Sequence, residues 1–164
     1  MLAANIIRLE GEAIFNEWRT YRLIGKRSLT RARAFAETLG IDLGLRRIPI
    51  LGVVGSKGKG TAAIYASATL AAHGLRVGTI TSPGLLTNRD RIRINGQALS
   101  ERAYLALLHK IAWAKQQLRP IDIDHNYLSP TGIFILGGIY ARNWSGDRGV
   151  ITDMRAARVG LRRA

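Results

Sequence analysis

Apolar residues recur at helical spacing from the start of the chain: Ile6, Ile7, Leu9, Ile14, Phe15 and Trp18 lie on one stripe and predict a helix over Leu2–Trp18. Arg19–Lys26 is a basic connector. Ser28 stands where an N-cap belongs, and a second helix runs from it through Leu39, ended by Gly40. The period then changes. Ile48–Val54 is a short apolar run, read as a buried strand, with Pro49 near its start, where a missing N–H is tolerated. Gly60–His73 is Ala-rich and helical, and Gly74 is the natural residue to follow its end. Arg76–Thr81 is a second strand, so strand, helix and strand form a βαβ unit that implies a parallel sheet. Ser82–Gln97 shows no helical period and reads as a long ordered loop. Ser100 caps a helix over Glu101–Leu118, with Tyr104, Leu107, Leu108 and Ile111 on one face. Ile121–Asp124 alternates apolar and acidic residues, which fits a loop or a short edge strand. Gly132–Trp144 is an apolar helix whose Gly137-Gly138 pair permits close backbone packing, and Asp147–Ile151 opens a further strand.

Composition narrows the class. A chain of 164 residues can build one domain with a real core, and 47% hydrophobic residues with a mean hydropathy of +0.02 fit a globular protein. No apolar run reaches membrane-spanning length, and Met1–Glu12 is amphipathic without a signal-peptide pattern. With no cysteine, disulfides and thiolate chemistry are excluded, and the cytoplasm is the default compartment. The net charge of +14 favours polyanions such as ATP, a polyglutamylated substrate or nucleic acid. Nucleic acid is the weaker inference, because the arginines are scattered and no nucleic-acid fold signature accompanies them. His73, His109 and His125 stand alone, with no partner at metal-ligand spacing.

The chemistry concentrates where the first strand meets its helix. Val53-Val54-Gly55-Ser56-Lys57-Gly58-Lys59-Gly60-Thr61 places glycines, lysines and a hydroxyl between an apolar strand and a helix N-terminus. Glycines let successive N–H groups turn inward around phosphate oxygens, and the helix end adds partial positive charge. Lys59 would reach the outer phosphates, and the Thr61 hydroxyl could meet a magnesium ion. The spacing departs from the usual P-loop: Val53 stands where its first glycine belongs, and Gly60 intervenes before Thr61. A flexible glycine turn beside a solvated basic face is the alternative reading of the loop alone.

The continuation carries more. Gly55–Thr61 is followed by Thr81-Ser82-Pro83, then Arg91-Ile92 and Asn95-Gly96. In this order and spacing, approximately Gly25–Ile151 resembles the folylpolyglutamate synthase/dihydrofolate synthase family, a branch of the Mur ligase superfamily. The resemblance implies an α/β fold, an incomplete P-loop-type parallel sheet flanked by helices, forming the front of a Mur-ligase-like ATPase domain. It implies ATP and Mg2+ as cofactors, with Gly55, Ser56, Lys57, Gly58, Lys59, Gly60 and Thr61 cradling phosphate. Lys59 would be the catalytic lysine, and Thr61 and Ser82 would hold the metal. The implied reaction joins glutamate to a folate or dihydropteroate carboxylate through an acyl phosphate, in a family that is usually monomeric. Catalysis of the first step would be mostly positioning and charge neutralisation.

Several positions depart from the family pattern. Ser56-Lys57 replaces Thr-Asn, Gly84 replaces a histidine and Asp90 a frequent glutamate. The family's Thr-x-Phe-Glu motif lacks its glutamate at Thr131–Phe134, leaving Thr131 a weak candidate for substrate contact. After Ile151 the family carries Glu-x-Gly-x-Gly-Gly-Arg-x-Asp, whose glutamate is a magnesium ligand; here Thr152–Ala164 is Arg- and Ala-rich, and Asp153 is a displaced carboxylate at best. The expected organisation is therefore an N-terminal helical segment (1–47), a partial ATP-binding domain (48–151) and an aberrant Arg-rich tail (152–164), produced by a frameshift or premature end near Ile151. Such a chain is expected to be inactive alone. The alternative is a stand-alone nucleotide- or phosphate-binding module without ligase activity.

Overall fold

The computed structural model describes residues 2–43, 49–143 and 149–153. The chain divides into two units: Met1–Gly44 with Ser100–Ala141, which is helical, and Leu45–Leu99 with Arg142–Ala164, which carries the sheet.

In the helical unit, α1 (Leu2–Glu10), a π-helical turn (Gly11–Phe15) and α2 (Asn16–Tyr21) follow without a break. The π-turn begins at Gly11, a residue that holds helical backbone weakly. The basic connector expected from Arg19 is helical as far as Tyr21. Arg19 and Arg22 lie over the rings of Phe15 and Trp18, one turn back, at 5.8 and 4.8 Å, the i, i+4 spacing of helical neighbours. Helix α3 (Leu29–Thr38) starts on Ser28, whose Oγ accepts the Arg31 N–H at 3.0 Å, and ends before Gly40 at φ +76. Helix α5 (Glu101–Gln116) starts in the same way on Ser100. Helix α6 (Pro130–Asn143) begins two residues earlier than the sequence pattern suggests. Proline suits the first helical turn, and Ser129 Oγ accepts the Gly132 N–H at 3.1 Å. A Cβ on Gly137 would stand 3.2 Å from Ile111 Cδ1, so glycine is what lets α6 approach α5. Ile121–Asp124 is not a strand: the Asp122 carboxylate accepts the Asn126 backbone N–H at 3.2 Å and closes a turn.

The core of this unit is Ile14, Phe35, Tyr104, Leu107, Leu108, Ile111, Leu128 and Ile133, all fully buried. One carboxylate is buried among them. Glu17 accepts Arg31 Nη2 at 3.0 Å and Nε at 3.3 Å, the Leu128 backbone N–H at 2.8 Å, and pairs with Lys115 Nζ at 3.5 Å. It ties α2 to α3, to α5 and to the segment leading into α6.

The sheet unit holds β1 (Ile50–Gly52), α4 (Lys59–Ala72), β2 (Arg76–Ile80), a 3-10 turn (Asn88–Arg91), β3 (Ile92–Ile94), β4 (Gln97–Ala98) and β5 (Gly149–Asp153). Strand order is β1-β5-β2-β3-β4, with β1, β5 and β2 parallel. Helix α4 covers β2 and β5, and a buried 2.6 Å hydrogen bond joins its Ser67 hydroxyl to that of Thr79 on β2. The loop expected over Ser82–Gln97 is only half a loop. Its second part forms the 3-10 turn and an antiparallel β3–β4 hairpin, Arg93 and Ile94 pairing with Ala98 and Gln97, while β3 also pairs antiparallel with β2. The cause is Asn95-Gly96, both at positive φ (48° and 79°), a pair suited to a two-residue hairpin turn. The sheet is thus parallel with an antiparallel edge. The predicted strand start at Ile48, the helix end at Trp144, Asp147-Arg148 and residues 154–164 of the predicted tail lie outside the described residues. Strand β5 itself continues past Ile151 through Thr152 and Asp153.

Candidate functional site

Parallel pairing sets the site. Strands β1 and β2 both run alongside β5, with Gly52 and Ile80 each in register with Asp153. Neighbouring strands are separated by about 4.8 Å, so the chain leaves β1 and β2 at the same end of the sheet, roughly 10 Å apart. From Gly52 it enters the glycine loop; from Ile80 it enters the segment that begins Thr81-Ser82. The carboxyl ends of parallel strands are where open α/β sheets bind ligands.

The loop has the backbone a phosphate cradle requires. Gly55 lies at φ +151 and Gly58 at φ +72, the latter as the residue that opens α4. Gly58 has no side chain to cap the helix, so the first N–H groups of α4 are left to an outside acceptor. Gly55, Ser56, Lys57 and Gly58 are exposed, Lys59 and Gly60 partly so, and Thr61 is exposed in the first turn of α4. Lys59 bends back across the loop, its Nζ donating to the carbonyls of Gly55 at 2.6 Å and Ser56 at 3.0 Å. The ammonium is therefore held against the loop by acceptors that phosphate oxygens could replace.

Ser82 is held from the side. Arg91 Nη1 donates to its Oγ at 3.1 Å, Arg91 Nε donates to Asn88 Oδ1 at 2.9 Å, and the Arg91 carbonyl accepts the Thr81 N–H at 2.9 Å. The Ser82-Pro83 peptide is cis. Asp90, in place of the family's glutamate, accepts the N–H groups of Thr87 and Leu86, both at 2.9 Å. These bonds hold its carboxyl below the usual range. Gly84, in place of the histidine, has a steric cause: a Cβ there would collide with the Thr87 carbonyl oxygen and stand 3.4 Å from Arg91 Cγ. Gly84→His is thus expected to displace Thr87 and loosen the loop, increasing protease cleavage within 84–91 by about tenfold, a loss of roughly 1.4 kcal/mol of local closure. Unchanged proteolysis would contradict it. Arg93 donates to the carbonyls of Asp90 and Gly96 at 3.1 and 3.2 Å.

Thr61 and Ser82 offer neutral hydroxyl oxygens, hard donors that suit magnesium. Among the described residues no group of three or more His, Cys, Asp or Glu could hold a metal. The donor set fits an ion carried largely by substrate phosphates with one or two protein oxygens, the usual arrangement for magnesium with a nucleotide.

No family model matches the chain. Human mitochondrial folylpolyglutamate synthase is 42% identical over 60 residues, a stretch that makes up 37% of this chain and 10% of that protein. The structure of Escherichia coli FolC in complex with DHPP and ADP is similar with a TM-score of 0.67 at 26% identity, covering 92% of this chain and 32% of that one. The resemblance to the folylpolyglutamate synthase/dihydrofolate synthase family holds. The bifunctional enzyme of Yersinia pestis, complexed with AMPPNP and a manganese ion, gives a TM-score of 0.65 at 29% identity over 98% of this chain and 33% of its own. The chain spans about a third of the length of the solved structures it matches.

The likeness extends over both units, so the mixed helix-and-sheet fold is that of folylpolyglutamate synthases. What local sequence reading missed is the hold on Ser82. Arg91 lies nine residues from it on the far side of a turn, a pairing with no periodic signal. The Asn95-Gly96 turn was the signal that could have revealed the hairpin that directly follows Arg91. Among the described residues no helix is long and apolar enough to cross a membrane.

Proposed function

We propose that this chain is the ATP-binding part of a folylpolyglutamate/dihydrofolate synthase-type ligase, and that residues 48–151 contain its nucleotide site. The observation that carries the reading is the Gly55–Thr61 loop, with two positive-φ glycines and a folded-back lysine between a parallel strand and a helix N-terminus. Similarity to enzymes solved with ADP, or with AMPPNP and manganese, supports it.

In this reading the N–H groups of the loop and of α4 receive the phosphates. Lys59 exchanges the Gly55 and Ser56 carbonyls for phosphoryl oxygens and neutralises the charge that develops as a carboxylate attacks. Thr61 and Ser82 hold Mg2+, which when bound screens the phosphate charge. The acid substrate would be folate or dihydropteroate and the amine glutamate. Because the 164 residues span about a third of comparable structures, we propose that they bind nucleotide without completing ligation on their own. Calorimetry with ATP and Mg2+ tests the first part: saturable one-to-one binding is expected, and no heat at millimolar ATP would sink it. Phosphate release on adding folate or dihydropteroate with glutamate tests the second. None is expected, and turnover that depends on both substrates would overturn that limit.

A further inference from the structure

Serine hydroxyls rotate freely unless something holds them, and a metal ligand whose lone pair must face one direction gains from being held. We infer that Arg91 is the positioning residue that fixes the Ser82 hydroxyl for a nucleotide-bound divalent ion. The inference rests on the nucleotide-site reading above and assigns a role to a residue outside the phosphate loop.

Arg91 makes several connections around this one loop. Its Nη1 donates to Ser82 Oγ, its Nε to Asn88 Oδ1, its carbonyl receives the Thr81 N–H, and its Cγ lies where a side chain on residue 84 would come within 3.4 Å. The two guanidinium bonds run in different directions from one rigid plane, so fixing Nε on Asn88 also fixes where Nη1 points. A guanidinium only donates. It therefore occupies one lone pair of Ser82 Oγ, turns the hydroxyl proton away from itself and leaves the second lone pair for a cation. A lysine at this position would keep the charge but could not bond along both directions from one plane. The same loop favours Gly84, because a Cβ there would collide with the Thr87 carbonyl while lying in contact with the Arg91 stem. The departure from the family's histidine and the hold on Ser82 thus belong to one arrangement.

The test separates nucleotide affinity from its metal-dependent gain. In the full chain, AMPPNP binding is measured with Mn2+ and with EDTA, and Mn2+ bound with nucleotide is counted by electron paramagnetic resonance. Arg91→Lys and Asn88→Ala are expected to leave the EDTA affinity within twofold while cutting the manganese-dependent gain about tenfold. In a Ser82→Ala background, Arg91→Lys is expected to cost nothing further, because the group it positions is gone. Far-UV circular dichroism identifies a variant that fails to fold, and Asn88→Ala, which removes the anchor for Nε and keeps Arg91 itself, then decides. A full manganese gain in Arg91→Lys or Asn88→Ala overturns the inference while leaving the nucleotide site standing, as does an undiminished Arg91→Lys loss in the Ser82→Ala background. A wild-type chain that binds no nucleotide overturns the site reading and this inference with it.

Discussion

Glu17→Ala is expected to destabilise the helical unit by about 3–5 kcal/mol, the cost of breaking a buried ion pair by removing one partner. The carboxylate is 8% exposed and is the common acceptor for Arg31, Lys115 and the Leu128 N–H. Removing it leaves two cations side by side in a dry site and an unpaired backbone donor. With net stabilities of about 5–15 kcal/mol for a domain, a loss of that size shows as a large drop in the urea midpoint. An unchanged midpoint would contradict it.

The two charges of the Glu17–Lys115 contact gain unequally from it. Burial pushes the Glu17 carboxyl up. The Arg31 hydrogen bonds, Lys115 and the Leu128 N–H together outweigh that and hold it below its ordinary 4.5. Burial pulls the Lys115 ammonium below its ordinary 10.5, and a 3.5 Å contact with Glu17 does not offset the loss while Arg31 repels it. The carboxylate is the favourable member, because it has several donors where the ammonium has one weak acceptor. Lys115→Met is accordingly expected to cost less than about 1 kcal/mol, or to stabilise, since Arg31 still neutralises Glu17. The pH dependence has a definite sign. The Glu17 contribution is complete above about pH 4.5 and is lost as pH falls through the lowered value. The Lys115 penalty is present at neutral pH and fades as pH rises from its lowered value towards 10.5.

Lys59→Ala is expected to weaken ATP binding by at least 100-fold, within the roughly 2–5 kcal/mol seen when one partner of a hydrogen-bonded charge pair is truncated. The side chain is already poised over the loop on two carbonyls, so little ordering is needed when phosphate replaces them. It makes no ion pair among the described residues, and its replacement is expected to change folding stability by no more than about 0.5 kcal/mol, as for most surface positions. The readout is the ratio of ATP affinities at constant ionic strength. A loss that vanished on adding salt equally to both proteins would instead indicate a diffuse cationic surface.

What the sequence revealed and what it hid divide along chain distance. Ser28, Ser100, Gly40, Gly58 and Gly74 act within a few residues, so helix ends and the phosphate loop were legible from residue type and spacing alone. The parallel direction of β1 and β2 followed from the βαβ order, whereas the insertion of β5 between them did not. The antiparallel edge did not, because β3 and β4 are only three and two residues long and too short to show a period. Glu17 sits on a helical stripe that reads as amphipathic, yet its partners lie 14 and 111 residues away. The Arg91 bond to Ser82 was hidden for the same reason: both residues are legible as a motif, and only the fold makes one hold the other.

Amide chemical-shift mapping during titration of the isotopically labelled full chain with AMPPNP and Mg2+ tests the central claim most directly. The account predicts saturable shifts concentrated at Gly55–Thr61 and at Ser82. Shifts spread over the arginines of the helical unit, or none at all, would contradict it.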